Sequence, residues 1–240
     1  MTTKTYLIFG ISKGLGKFIT INLPNDTDTV FGISRTQPDY LSERTNLKWI
    51  KTDLSNPDKS SEAIKADIKN YPIDYLIYNI GIWENDAFSD KYNFEENSLS
   101  EISNIINTNI TSCIANIQSV LSNLKLSNNA KIILIGSTWG LDNHNGKEVA
   151  FSASKFALSG IVHSLRENLR SFKIGVSIIN LGYLATDFDN NEDLVTVIDK
   201  SDGNLIPLQD VISSLRFIIS TSNASCVKEI NMPAMNDVNL

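Results

Sequence analysis

Short apolar runs alternate with longer amphipathic stretches along the whole chain. The short runs are Thr5–Phe9, Thr29–Ser34, Leu47–Lys51, Asp74–Tyr78, Lys131–Gly136, Gly175–Asn180 and Val227–Met232. Several are rich in β-branched residues and almost continuously apolar, the pattern of strands covered on both faces. Between them, Leu15–Leu23, Asp58–Lys69, Glu101–Lys125, Ala150–Arg170 and Leu208–Ser220 carry helical spacing. Strand alternating with helix predicts βαβ units, and hence an α/β fold: a doubly wound parallel sheet of seven strands with helices on both faces. Asn85–Ser100 is polar and irregular and reads as a surface excursion. Thr186–Gly203 is acidic and polar around an apolar Leu194–Ile198 centre. It reads either as a flap over a site or as a surface loop with one short helix.

Composition narrows the class. The chain has 240 residues, 42% of them hydrophobic, which suits one globular domain spanning 1–240 with a sizeable core. The net charge of −6 argues against a basic nucleic-acid footprint and against general attraction to anionic membranes. Cys113 and Cys226 form no CxxC and suggest no disulfide framework, so a reducing cytoplasm is the expected setting. The apolar run Tyr6 to Ile11 is too short for a secretory core, and no run approaches the roughly 18 residues of a membrane span. No metal-ligand spacing is present.

The first strand runs into Gly10-Ile11-Ser12-Lys13-Gly14-Leu15-Gly16, which opens a helix. Glycines allow the tight turn and let backbone approach a pyrophosphate, and the helix N-terminus behind them offers free N–H groups. This is a dinucleotide loop in its confirming strand–loop–helix context. The second strand ends in Ser34-Arg35-Thr36, with no acidic residue to bind a ribose 2′-hydroxyl and repel a 2′-phosphate. The Arg35 guanidinium, with Lys13 as a second cation, matches a phosphate, and NADP(H) is the expected cofactor.

The G-x-x-x-G-x-G loop, Asn109, Ser137, Lys155 and the Gly182-x-x-x-Thr186 spacing together resemble the short-chain dehydrogenase/reductase family, from residue 4 to about residue 232. The resemblance implies a Rossmann-like fold and hydride transfer between a nicotinamide and a carbonyl or alcohol. It implies cofactor contacts from Gly10, Ser12, Lys13, Gly14, Leu15 and Gly16. Further contacts come from Ser34, Arg35, Asp53 and Leu54 near the adenine, and from Asn79 and Gly81 at the fourth strand's end. Lys155, Gly182 and Thr186 would meet the nicotinamide side. Ser137 would bond the substrate oxygen, and Asn109 would sit at a helix irregularity, holding a water that links the lysine to solvent. Trp139, Leu141, His144, Val149, Tyr183, Leu184 and Phe188 would line or flank a substrate pocket. The helices Glu101–Lys125 and Ala150–Arg170 would pair across a two-fold axis, giving a homodimer or homotetramer.

The chain departs from that pattern at several points. Tyr78 and Ile80 flank Asn79 where the family has Asn and Ala, Leu181 replaces a proline, and Asn231–Leu240 lacks the usual ending. The main departure is Phe151, four residues before Lys155 on one helical face, where the family carries a tyrosine. An ammonium beside a phenol lowers its pKa so that it can hand a proton to the carbonyl. Phe151 keeps the ring and removes the proton, so slow turnover is expected. Three explanations are open: an engineered replacement in an otherwise competent reductase; a non-catalytic NADP(H)-binding sensor or supporting subunit; or a substitute acid, with His144 the first candidate.

Overall fold

Seven parallel strands form one sheet in the order β3-β2-β1-β4-β5-β6-β7. The computed structural model describes residues 3–188 and 192–237. In chain order the elements are β1 (Thr5–Phe9), α1 (Gly14–Asn22), β2 (Thr29–Ser34), β3 (Leu47–Lys51), α2 (Pro57–Ile68) and β4 (Tyr75–Tyr78). Then come α3 (Leu99–Ile106), a π-helical turn (Asn107–Thr111), α4 (Ser112–Ser119), α5 (Leu121–Leu124) and β5 (Lys131–Ser137). The last are α6 (Val149–Leu169), β6 (Gly175–Leu181), α7 (Leu194–Ser201), α8 (Leu208–Ser220) and β7 (Glu229–Met232).

Period-two alternation sends every strand but β7 into two cores. Leu7 and Phe9 of β1 pack with Ile64 of α2, Ile117 of α4 and Leu158 of α6. Tyr6 and Ile8 pack in the other cluster, with Phe18 of α1 and Leu215 of α8. Both faces of the sheet are therefore covered, which explains the nearly unbroken apolar runs. The strand order reverses between β1 and β4, and the crevice beyond their carboxyl ends is where such sheets bind ligands.

Most elements lie within two residues of their expected positions. The Asp58–Lys69 helix starts one residue earlier, with Pro57 in its first turn and the Asn56 side chain capping Lys59 N. The expected single helix Glu101–Lys125 is broken instead, by the π turn at Asn107–Thr111 and again at Val120, whose ψ of 11° leaves the helical region. Thr186–Gly203 contains the short helix α7, capped by Asp193; residues 189–191 of that segment lie outside the described residues. Within Asn85–Ser100, Asp86 and Phe88 have φ values of 56° and 62°.

Candidate active site

The glycine loop closes onto the switch point. Gly10 has φ of 80°, and a Cβ there would lie 2.3 Å from the Asn79 carbonyl oxygen. A Cβ on Gly16 would fall 1.9 Å from the Gly10 carbonyl oxygen, so any side chain would push α1 off the end of β1. Gly14 has φ of 53°, and a Cβ there would meet only Thr186, at 3.5 Å. The loop is thus a narrow backbone cradle held between β4 and the segment after β6, with room left above it. These residues fit a dinucleotide.

A cleft of about 920 Å³ opens from this cradle. Its walls include Gly10, Ser12, Lys13, Gly14 and Leu15 at the loop, then Ser34 and Arg35 after β2. Asp53 and Leu54 after β3, Asn79 and Gly81 after β4, and Gly182 and Thr186 after β6 complete the run. Arg35 and Lys13 are exposed at the end expected for the adenosine. Ser34 is tied locally: its hydroxyl donates to Thr36 O at 2.8 Å and accepts from Trp49 Nε1 at 3.0 Å. The Asp53 carboxylate accepts from Ser55 N at 3.0 Å, an Asx turn that leaves its other oxygen free for a ligand.

At the other end of the cleft stand Ser137, Phe151 and Lys155. Phe151, Ser154, Lys155, Leu158 and Val162 form the buried stripe of α6, at i, i+3 and i+4 spacing. The helix is seated on β5 by the turn after Ser137, where a Cβ on Gly140 would lie 2.8 Å from the Lys155 carbonyl carbon. The Lys155 ammonium donates to Ile80 O at 3.3 Å and Ile135 O at 3.2 Å, and lies 5.5 Å from the Phe151 ring centroid. Burial pulls its pKa down from 10.5 to about 8. Ser137 Oγ accepts from Trp139 N at 3.2 Å, so its own proton is available to a ligand oxygen.

Asn109 sits inside the π turn, as expected. Its side-chain amide bonds to protein: Oδ1 accepts from Ile82 N at 2.9 Å, and Nδ2 donates to Ile82 O at 2.8 Å and Ser154 Oγ at 2.9 Å. It therefore fastens the segment after β4 to α6.

The expected pocket residues Trp139, His144 and Tyr183 do not line the cleft. The Phe88 ring occupies the space beside them, with ring centroids 5.5 Å from Trp139, 6.1 Å from Tyr183, 5.4 Å from Phe151 and 5.5 Å from Trp83, all edge-on. His144 stacks on Trp139 and shares a 2.9 Å hydrogen bond with Ser152. Of the flanking residues, only Leu184 reaches the cleft.

Two buried acids are not among the residues singled out from the sequence. Glu84 Oε1 accepts from Ala150 N at 2.7 Å and Phe151 N at 3.2 Å, capping α6 from a loop far away in the chain, while Oε2 has no hydrogen-bond partner. Glu148 accepts from Phe88 N and Trp139 Nε1, each at 2.7 Å. Burial pushes its carboxyl up, but these donors outweigh burial and hold it below the usual carboxylate range. Glu148 directly precedes α6, where an acid is favoured by the helix dipole, and that signal was legible. Among the described residues no cluster suits a metal ion, and no helix is long and apolar enough to cross a membrane.

Comparison with known proteins agrees with this geometry. The chain is 31% identical over 196 residues to the 3-oxoacyl-[acyl-carrier-protein] reductase FabG of Buchnera aphidicola subsp. Schizaphis graminum, covering 78% of this chain and 76% of that protein. A putative 3-oxoacyl-reductase from Bacillus thuringiensis superposes over 100% of both chains with a TM-score of 0.83 at 17% identity. Pseudomonas aeruginosa RhlG in an NADP active-site complex superposes over 96% of this chain and 95% of its own, with a TM-score of 0.79 at 22% identity. Residues 4–194 match the family described as short chain dehydrogenase, and the chain belongs to that family of oxidoreductases.

Proposed function

We propose that the chain binds NADP(H) in the cleft and is built to interconvert a small carbonyl compound and its alcohol, with the proton-donating position filled by Phe151. The observation that carries this reading is Lys155. Its ammonium is buried, anchored on two strand-end carbonyls and set beside the Phe151 ring, at one end of a cleft that also holds Ser137. A buried ammonium is expensive to maintain, and structure alone gives no reason for it here. Arg35 and Lys13 support NADP(H) over NAD(H) through their match to a 2′-phosphate.

Bound NADPH supplies the hydride. Ser137 Oγ–H bonds the substrate oxygen, Lys155 bonds the nicotinamide ribose, and Asn109 holds the wall of the site to α6. No phenol completes the proton transfer, so turnover of neutral carbonyls is slow by about 10²–10⁴-fold. The test is NADPH consumption with a panel of aldehydes, ketones and keto-sugars, by this chain and its Phe151→Tyr variant in parallel. Turnover by the tyrosine form alone supports the reading. Equal turnover by both identifies a different acid and overturns the role given to residue 151.

Phe88 favours a second reading, a non-catalytic NADP(H)-binding sensor or supporting subunit, because its ring takes the room a substrate would need. Under that reading NADPH binds and neither form turns over. A homodimer or homotetramer formed through α4 and α6 accompanies either reading, and a monomeric mass at micromolar concentration would contradict it.

A further inference from the structure

Next to the Phe151 end of the cleft lie three features that a neutral carbonyl does not use. Trp83, Phe88, Trp139, Phe151 and Tyr183 form a box of aromatic rings, joined edge to face. Glu84 and Glu148, 1% and 4% exposed, lie at the same end, bonded to the backbones of Phe151 and Phe88. Neither forms an ion pair among the described residues, and Glu84 Oε2 has no hydrogen-bond partner. Buried carboxylates are ordinarily paired. The third feature is Phe151 itself, which has no proton to give.

Ring faces and carboxylates both attract positive charge. A developing alkoxide wants the opposite: donors, and an acid to quench it. We infer that the aromatic box takes a cationic substrate, an iminium ion of roughly one substituted ring, and that the chain reduces its C=N⁺ bond. This inference rests on the NADP(H) reading above. The balance needs no acid. The hydride, with its electron pair, forms the new C–H bond at the iminium carbon. The C=N π pair becomes the nitrogen lone pair, the iminium is reduced to an amine, and NADPH is oxidised to NADP⁺. A phenol at position 151 would have nothing to donate in this step.

The box is occupied by Phe88 in this structure, and Phe88 is the side chain that yields. Its φ of 62° is unfavourable for an aromatic residue, and its N–H is held by Glu148 Oε1 at 2.7 Å. Swinging the ring out about its side-chain torsions vacates a ring-sized space between Phe151, Trp139 and Tyr183, beside the Glu148 carboxylate that Trp139 Nε1 holds. Trp83 and Phe151 also line the cleft, which gives the ligand its way in. The Lys155 ammonium is turned to the Ile80 and Ile135 carbonyls, which offset its charge.

The experiment is calorimetric binding to the NADP⁺-loaded protein of an N,N-dimethyl tetrahydroisoquinolinium, a cation that cannot react, against tetralone, a neutral ligand of similar shape. NADPH affinity is measured alongside by fluorescence. The cation should bind at least tenfold more tightly than tetralone. Glu148→Gln should remove most of that margin, and Phe88→Ala should tighten the cation severalfold. With NADPH, an N-methyl dihydroisoquinolinium methylated at the iminium carbon should be reduced to one enantiomer, which separates turnover from uncatalysed reduction, while tetralone is left untouched. If NADPH binds and the cation shows no margin over tetralone, the inference is overturned and the NADP(H) reading stands. A racemic product formed no faster than without protein overturns the reductive step in the same way. If NADPH does not bind, the underlying reading fails, and this inference with it.

Discussion

The Lys155 ammonium lies 5.5 Å from the centroid of the Phe151 ring, and both side chains are buried on one stripe of α6. A hydroxyl added to that ring would enter the field of the ammonium. Phe151→Tyr should therefore gain about 10²–10⁴-fold in the reduction of neutral carbonyls, the usual range for a positioned acid. A phenolate difference titration of variant against parent gives a check independent of substrate. The new phenol should titrate below 10, because the ammonium favours the phenolate. Burial pushes Tyr40 up to about 12 and raises Tyr78 further, so these do not obscure it.

Arg35 stands exposed on the wall of the cleft just after β2, with Lys13 across the loop. Under the NADP(H) reading its guanidinium meets the 2′-phosphate. Hydrogen bonds to charged groups are worth about 1.5–3 kcal/mol. Arg35→Glu should weaken NADPH roughly tenfold to hundredfold while leaving NADH unchanged or improved, as measured by cofactor fluorescence titration. Equal loss for both cofactors would mean that Arg35 does not read the phosphate.

Asn109 bridges two segments through Ile82 N, Ile82 O and Ser154 Oγ, all within 2.9 Å. Asn109→Ala strands the Ile82 backbone groups beside α6. The expected cost is about 1–3 kcal/mol, read as a lower urea midpoint with unchanged slope. NADPH affinity should fall as well, because Gly81 and Ile80, which meet the cleft, precede the freed residue in the chain.

The inner strands were legible because they are buried on both faces and so carry nearly continuous apolar runs; the edge strands β3 and β7 are partly exposed. The parallel doubly wound sheet and the glycine loop followed from the alternation with helices and from the glycine spacing. The broken helix was not legible. The π turn is where Asn109 bonds to Ile82, a contact across 27 residues that leaves no local pattern. Phe88 was hidden for a related reason: no propensity favours an aromatic residue at positive φ, and it is held there by Glu148, 60 residues away. Of the pocket residues taken from resemblance, Trp139 and Tyr183 pack on the Phe88 ring instead of lining the cleft, a contact the resemblance did not reveal.

Lys155 also makes folding stability depend on pH. Its folded pKa, about 8, lies below the ordinary value of 10.5 because burial disfavours the ammonium. Between those values the unfolded chain binds more protons than the folded one, so this group's contribution to stability rises with pH across the window. The full penalty applies below about pH 8 and is gone above about pH 10.5. The span corresponds to roughly 3 kcal/mol. Lys155→Met carries no such charge, and the other titrating groups are common to both proteins. The stability of the variant relative to the parent should therefore be most favourable near neutral pH and should decline by up to about 3 kcal/mol as the pH approaches 10. Urea unfolding of the pair at about pH 7 and about pH 10 reads this directly. A difference independent of pH would mean that Lys155 keeps its charge through the window, and that the carbonyls of Ile80 and Ile135 hold the ammonium more strongly than burial disfavours it.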